Sequence, residues 1–223
     1  CVGILGGYAG LLGAADESDP EVIRRKYLRP LDTRSVSNIV TRGGTMLYTA
    51  RCPEFMTEEG VKKAVGTCKY LGIDGIIAIG GDGTFRGAEA LSKHGIAVIG
   101  IPATIDNDIV CTDYTIGFDT ACNTAIDCID KLRDTMQSHE RCSVVEVMGR
   151  NAGFLAMYVG LACGATAVLV PEKTVDFDRD VIEKIRQARF NGFTHYMIVV
   201  AEGAGSAADI AKQIKDTIDL DPR

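Results

Sequence analysis

The sequence has no C-x-x-C pair, no excess of positive charge, no internal repeat and no low-complexity segment. Nor does any apolar run reach the ~18 residues that span a bilayer. Each absence removes a class of function. The eight cysteines lie scattered, most of them within apolar patterns, so a disulfide framework is excluded and reduced thiols of a cytoplasmic protein are expected. A formal net charge of −6 argues against a nucleic-acid or acidic-membrane surface, while leaving room for local arginines facing a phosphorylated metabolite. The three histidines carry no metal signal. His139 and His195 have no carboxylate or cysteine partner at ligand spacing, and His94 reads as a helix C-terminal residue. There is no signal-peptide pattern. The chain opens at Cys1 as though a strand had already begun and stops straight after a helix pattern, so both ends are expected to be cut.

What is present is a regular alternation. Over 223 residues, 46% hydrophobic and 24% charged, the composition suits one large or two modest globular domains. From residue 57 the order is helix (57–72, Thr57 as N-cap), strand (73–81), helix (84–95) and strand (96–102). A long helix over roughly 117–136 repeats Ala121, Ala125, Cys128, Ile129 and Leu132 on one face. Then come strand, helix, strand, helix, strand and helix to residue 218. Residues 14–30 are charged and read as a surface insertion. Strands apolar on both faces, separated by helices, predict an α/β fold of two doubly wound, Rossmann-like domains with mostly parallel sheets and a cleft between them. The expected boundary gives domains 1–117 and 118–223.

Ligands of such sheets sit at the carboxyl ends of the strands. There the sequence places Asp82 in "IGGDGTFRG", Asp106 and Asp108 in "ATIDNDI", then Arg150 and Glu202. Glycines beside Asp82 let the backbone approach a ligand closely, and an acid among them suits a ligand that arrives with a metal ion. Alone, Asp82 reads equally well as a helix cap, and Asp106 and Asp108 as a solvated turn. Together they match the needs of phosphoryl transfer: backbone amides and Mg²⁺ for nucleotide phosphates, and a carboxylate to accept a hydroxyl proton.

"GGDGT", "PATIDNDI" and "SVVEVMGR", with "RGGTMLYTARCPEF", "TDYTIGFDTA" and "KLRDTMQSHERCSVVEVMGRNAG", resemble the ATP-dependent 6-phosphofructokinase family of bacterial type. The similarity runs from about residue 2 to 223, broken mainly at 14–30. It implies transfer of the γ-phosphoryl of Mg-ATP to the 1-hydroxyl of fructose 6-phosphate, a nucleotide-binding first domain and a sugar-phosphate-binding second one. By resemblance, Asp82 serves the Mg²⁺, Gly81, Gly83 and Thr84 line the phosphates, Tyr8 and Arg51 belong to the nucleotide site, and Gly87 admits the adenosine. Asp106 is the implied catalytic base, with Thr104 and Asp108 holding the reacting oxygens and magnesium. Met148, Gly149, Arg150 and Glu202 correspond to the sugar-phosphate segment. Arg141 and Arg223 correspond to arginines that reach the 6-phosphate, Arg141 across a subunit interface, which implies a homo-oligomer, a tetramer when full length.

Three alternatives stand beside this reading. Pyrophosphate-using relatives resemble the pattern with an Asp after "GGD" and a Lys at Ala103; Gly83 and Ala103 leave the α-phosphate space open, which favours ATP. The NAD and lipid kinases share G-G-D-G but lack "TIDND" and "VMGR". Because both ends look cut, a non-catalytic or regulatory paralogue is the third. The bacterial enzymes of the family are allosteric, yet this chain has Thr33 and Phe193 where an arginine and a lysine are usual and Thr166 where an acid is usual. Arg133 is retained. Weak regulation by ADP and phosphoenolpyruvate is therefore expected.

Overall fold

A computed structural model describes residues 1–218, 220 and 222. The chain divides into two compact units, Cys1–Ile101 and Pro102–Arg223. The division falls earlier than residue 117. Ala103 and Thr104, at the end of one strand, pair in parallel with Ile116 and Gly117, which ties this segment to the second unit.

In the first unit, β1 (Val2–Ile4) pairs antiparallel with β2 (Leu28–Pro30). Between them lie α1 (Tyr8–Ala15) and α2 (Pro20–Tyr27). The charged stretch 14–30 is thus not a loose insertion. Asp19 caps α2 by accepting the Glu21 N–H at 2.8 Å, Pro20 supplies the first helical φ, and Ile23 is buried. After a 3₁₀ turn at Pro53–Met56 comes α3 (Glu58–Tyr70), capped as its sequence predicts by Thr57, which accepts the Gly60 N–H at 3.0 Å. Next are β3 (Gly75–Gly80), α4 (Asp82–Lys93) and β4 (Ala97–Thr104). Ile76 and Val98 pack on a core built with Leu11, Leu12, Val61, Val65 and Leu91. The opposite face differs from the two-sided burial expected: Ile77, Ile79 and Ile99 are 61–66% exposed.

The second unit holds β5 (Ile116–Gly117), α5 (Phe118–Ser138), β6 (Cys142–Val147), α6 (Phe154–Ala162) and β7 (Ala167–Leu169). A π-helical turn (Asp178–Ile182) leads into α7 (Glu183–Phe190), followed by β8 (Tyr196–Ala201) and α8 (Ala207–Thr217). β6 and β7 each pair in parallel with β8, in the order β6-β8-β7. All six residues of β8 are buried, and alternate ones serve different cores. Met197, Val199 and Ala201 pack with α5 and α6, whereas Tyr196, Ile198 and Val200 pack with α7 and α8. Helices on both faces make this a doubly wound α/β unit. Among the described residues no helix is long and apolar enough to cross a membrane.

Candidate active site

Parallel pairing in register brings Val147 beside Ala201. The residues just past each strand therefore emerge at one edge of the sheet. Glu202 turns its carboxylate back onto this edge: Oε1 accepts the N–H of Gly149 at 3.0 Å and of Arg150 at 2.6 Å. Arg150 is held in the left-handed region at φ 52°, uncommon for a side-chain-bearing residue. Gly149, at φ 138°, has no room for a Cβ, which would fall 2.6 Å from the Ala152 carbonyl oxygen. The motif's glycine is therefore required by backbone geometry, and Glu202 has a structural duty that the sequence did not disclose.

Asp106 lies within electrostatic reach of Asp108, Arg150 and Glu202. Burial holds its carboxyl above the ordinary carboxylate range and Asp108 adds to the shift, while Arg150 and a hydrogen bond with Thr104 oppose it. Thr104 Oγ1 accepts the Asp106 N–H at 3.2 Å. Asp108 Oδ1 is buried without a hydrogen-bond partner among the described residues. Such an orphaned carboxylate oxygen suits a hard cation with oxygen ligands. No cluster of three or more metal-binding side chains occurs among the described residues.

Two further residues hold this loop and were not singled out from sequence. Asn107 accepts the Thr115 N–H at 2.9 Å, and the Thr115 hydroxyl donates to the Thr104 carbonyl at 2.6 Å. Arg141 is not near these groups. It precedes the amino end of β6, roughly 20 Å of strand away from Arg150 at ~3.3 Å per residue. Arg223 lies outside the described residues.

In the first unit the glycine turn joins β3 to α4. Gly81 is the N-cap and makes no side-chain bond; Asp82 is the first helical residue, so Asp82 is not the cap. Its carboxylate pairs one turn on with Arg86 at 2.9 Å. The helix amino terminus, with Gly83 and Thr84 in its first turn, presents backbone N–H groups and a positive dipole end, the arrangement that binds phosphate. A Cβ at Gly83 would meet nothing within 4 Å. Gly87 lies in the middle of α4. Its bare face is covered by Tyr8, whose ring stacks on Phe55 at 4.1 Å and whose hydroxyl donates to the Thr84 carbonyl at 2.7 Å. Burial pushes the Tyr8 phenol up to about 12. Arg51 stands exposed before the 3₁₀ turn.

A separate cavity of about 360 Å³ in the second unit is lined by Arg133, Thr166, Lys184, Phe193 and His195, among others. Arg133 Nη2 donates to the Cys163 carbonyl, and Arg133 Nε and His195 Nδ1 are buried without partners among the described residues.

Fold and residues together define an α/β protein with its acids gathered at the carboxyl ends of strands. The whole chain, residues 1–223, matches the phosphofructokinase family, and it belongs to that family. It is 50% identical to ATP-dependent 6-phosphofructokinase 1 of Clostridium perfringens over 100% of its own length and 66% of that protein's. It is 48% identical to ATP-dependent 6-phosphofructokinase of Bacillus subtilis over 99% of its length and 65% of that protein's. The structure of phosphofructokinase from Saccharomyces cerevisiae superposes with a TM-score of 0.81 at 32% identity, covering 99% of this chain and 32% of that one. The chain thus spans just under two thirds of the curated bacterial relatives it matches.

Proposed function

We propose that the intact polypeptide carrying this sequence transfers the γ-phosphoryl group of ATP to the 1-hydroxyl of fructose 6-phosphate, a kinase step of glycolysis. The observation that supports this most is the grouping of Asp106 with Asp108, Arg150 and Glu202 within one compact unit. A carboxylate with raised proton affinity beside a positive group is suited to take a proton from an attacking hydroxyl. In this reading Asp106 is the base, Thr104 orients its loop, and Met148, Gly149 and Arg150 meet the sugar phosphate. Glu202 contacts sugar hydroxyls with whatever capacity its bonds to the two amides leave. Gly81, Asp82, Gly83 and Thr84 receive the nucleotide phosphates, with Tyr8, Arg51 and Gly87 near the nucleoside. By the resemblance, Asp82 in the first unit and Asp108 in the second are each candidates to hold Mg²⁺, which when bound offsets charge on the transferring phosphates.

Arg141 and Arg150 at opposite ends of β6 cannot grip one phosphate within a chain. That distance supports the reading in which Arg141 completes a neighbouring subunit's site in a homo-oligomer, with Arg223 beside it. The open space at Gly83 supports ATP over pyrophosphate, as do the names of the half-identical relatives. All eight cysteines are free thiols, which supports a reducing, cytoplasmic setting.

The test is a coupled assay on the intact protein with ATP and with pyrophosphate, alongside light scattering. Turnover with ATP by an oligomer is expected. Faster turnover with pyrophosphate overturns the donor, full activity of a monomer overturns Arg141's role, and no turnover with either favours a non-catalytic paralogue.

A further inference from the structure

The loop after β4 is tied shut by a pair of side chains that touch no proposed substrate group. Asn107 sits between Asp106 and Asp108 at φ 54°. Asparagine tolerates that left-handed conformation, and glycine would serve it equally well. What asparagine adds is an amide used at both ends. Its Oδ1 accepts the Thr115 N–H at 2.9 Å, and its Nδ2 donates to the Asp113 carbonyl at 3.2 Å. Thr115 is 4% exposed, and its hydroxyl, having one proton, donates at 2.6 Å to the Thr104 carbonyl, the last of β4. The segment 113–115 then runs directly into β5, which pairs back onto β4 through Ala103–Ile116 and Thr104–Gly117. The entry to the Asp106–Asn107–Asp108 turn, through the Thr104 carbonyl, and its middle, through Asn107, are thereby fastened to one short segment that ends in the buried Thr115.

The fastening has a visible effect. Two carboxylates flank one residue, and one of their oxygens, Asp108 Oδ1, is buried without a partner among the described residues. A free loop would rotate that oxygen into water, since burying an unpaired polar group is costly. We infer that Asn107 and Thr115 are positioning residues of the phosphoryl-transfer site, holding Asp106 and Asp108 in the reactive geometry through the Asn107–Thr115–Thr104 tie. This rests on the kinase reading above, in which Asp106 is the base. The residues proposed for the sugar phosphate come from other elements, after β6 and β8, so loosening this loop displaces the base and leaves the sugar site in place.

The experiment compares Asn107→Gly, Thr115→Val, Thr115→Ser and Asp106→Asn in the intact protein, reading kcat, KM for fructose 6-phosphate and thermal midpoint. Asn107→Gly keeps the left-handed backbone and removes only the amide. A misplacement near 1 Å costs about 10²-fold, so Asn107→Gly and Thr115→Val should each lower kcat by roughly that factor, with KM within about twofold. Thr115→Ser keeps the hydroxyl and should restore kcat. The double variant Asn107→Gly/Thr115→Val should be little worse than either single, because both cut the same tie. Wild-type kcat in Asn107→Gly beside a crippled Asp106→Asn overturns the inference and spares the kinase reading. An active Asp106→Asn sinks the kinase reading itself. If Asn107→Gly does not fold, the two Thr115 variants decide: equal kcat in Val and Ser means that the hydroxyl positions nothing.

Discussion

The carboxylate of Glu202 accepts the backbone N–H of Arg150 at 2.6 Å, with Arg150 at φ 52°. An acid on one strand end thus sets the conformation of an arginine on the next. Glu202→Ala should raise KM for fructose 6-phosphate at least about tenfold and cost about 1 kcal/mol of stability, the scale of one or two exposed hydrogen bonds. Glu202→Gln keeps an acceptor and should retain most of the stability. Equal thermal midpoints for wild type and Glu202→Ala would mean that the backbone bonds contribute nothing.

Gly83→Asp separates folding from function. Its Cβ enters open space, and an acid in the first turn of α4 faces the positive dipole end, worth about 0.3–1 kcal/mol. Stability should hold or rise. The new charge lies where nucleotide phosphates are proposed to bind, so kcat/KM for ATP should fall by roughly tenfold or more. Paired calorimetry and kinetics read both effects, and unchanged ATP kinetics would move the phosphates elsewhere.

Gly87→Ala opposes two effects in the middle of α4. Helix propensity favours alanine by up to ~1 kcal/mol. Against it, the added methyl falls 2.7 Å from Tyr8 Cζ and 3.0 Å from Phe55 Cε1, and overpacking of this kind costs ~1–3 kcal/mol. Moving Tyr8 also strains its bond to Thr84. Net destabilisation of about 1–2 kcal/mol is expected in urea titration, and Tyr8→Leu should relieve part of it. A stabilised Gly87→Ala would mean that the rings yield freely.

His94 closes the carboxyl end of α4 with Nδ1 2.9 Å from the Ala90 carbonyl and Nε2 3.2 Å from Glu58. Both ring nitrogens face acceptors, so the doubly protonated ring satisfies both. The Ala90 carbonyl and then Glu58 raise its pKa above 6.5. A raised folded value means that the contribution is complete below the unfolded value and is lost as pH rises through the folded one. The thermal midpoint of wild type relative to His94→Gln should therefore be higher at pH 6 and converge by pH 8.5. A gap that widens with pH would reverse the assignment.

Effector control should be weak. Thr166 spends its hydroxyl accepting the Met197 N–H at 3.2 Å, Phe193 presents an apolar ring, and Thr33 carries no charge. Two missing charge-assisted bonds at about 1.5–3 kcal/mol each weaken a phosphate effector by roughly a hundredfold or more. Saturation curves with and without millimolar phosphoenolpyruvate should nearly overlay. A large, ADP-reversible shift would show a working site.

The alternation from residue 57 onward was legible because its strands are short apolar runs that end near a glycine or a proline, and each helix carries its own period. The α2–β2 excursion was not: its one deeply buried residue, Ile23, hardly stands out among the seven other, largely charged and polar, residues of α2. The two-residue β5 was too short to leave a pattern. At the candidate site, the acids stood out through their place at strand ends and the motifs around them. Their supports did not, since Glu202 acts through backbone N–H groups and Asn107 through a threonine eight residues away, neither of which produces a period.

The strand order β6-β8-β7 carries a consequence for the chain as it is made. The middle strand is the last of the three to leave the ribosome. Until Tyr196–Ala201 emerges, β6 and β7 have no partner between them, and two apolar strands wait with their backbone edges unpaired over some thirty to fifty residues of synthesis. Neither of the two cores that β8 divides is complete before then. The second unit therefore closes in one late event, and a ribosome stalled before residue 196 should hold a protease-sensitive, chaperone-binding intermediate whose first unit is already compact.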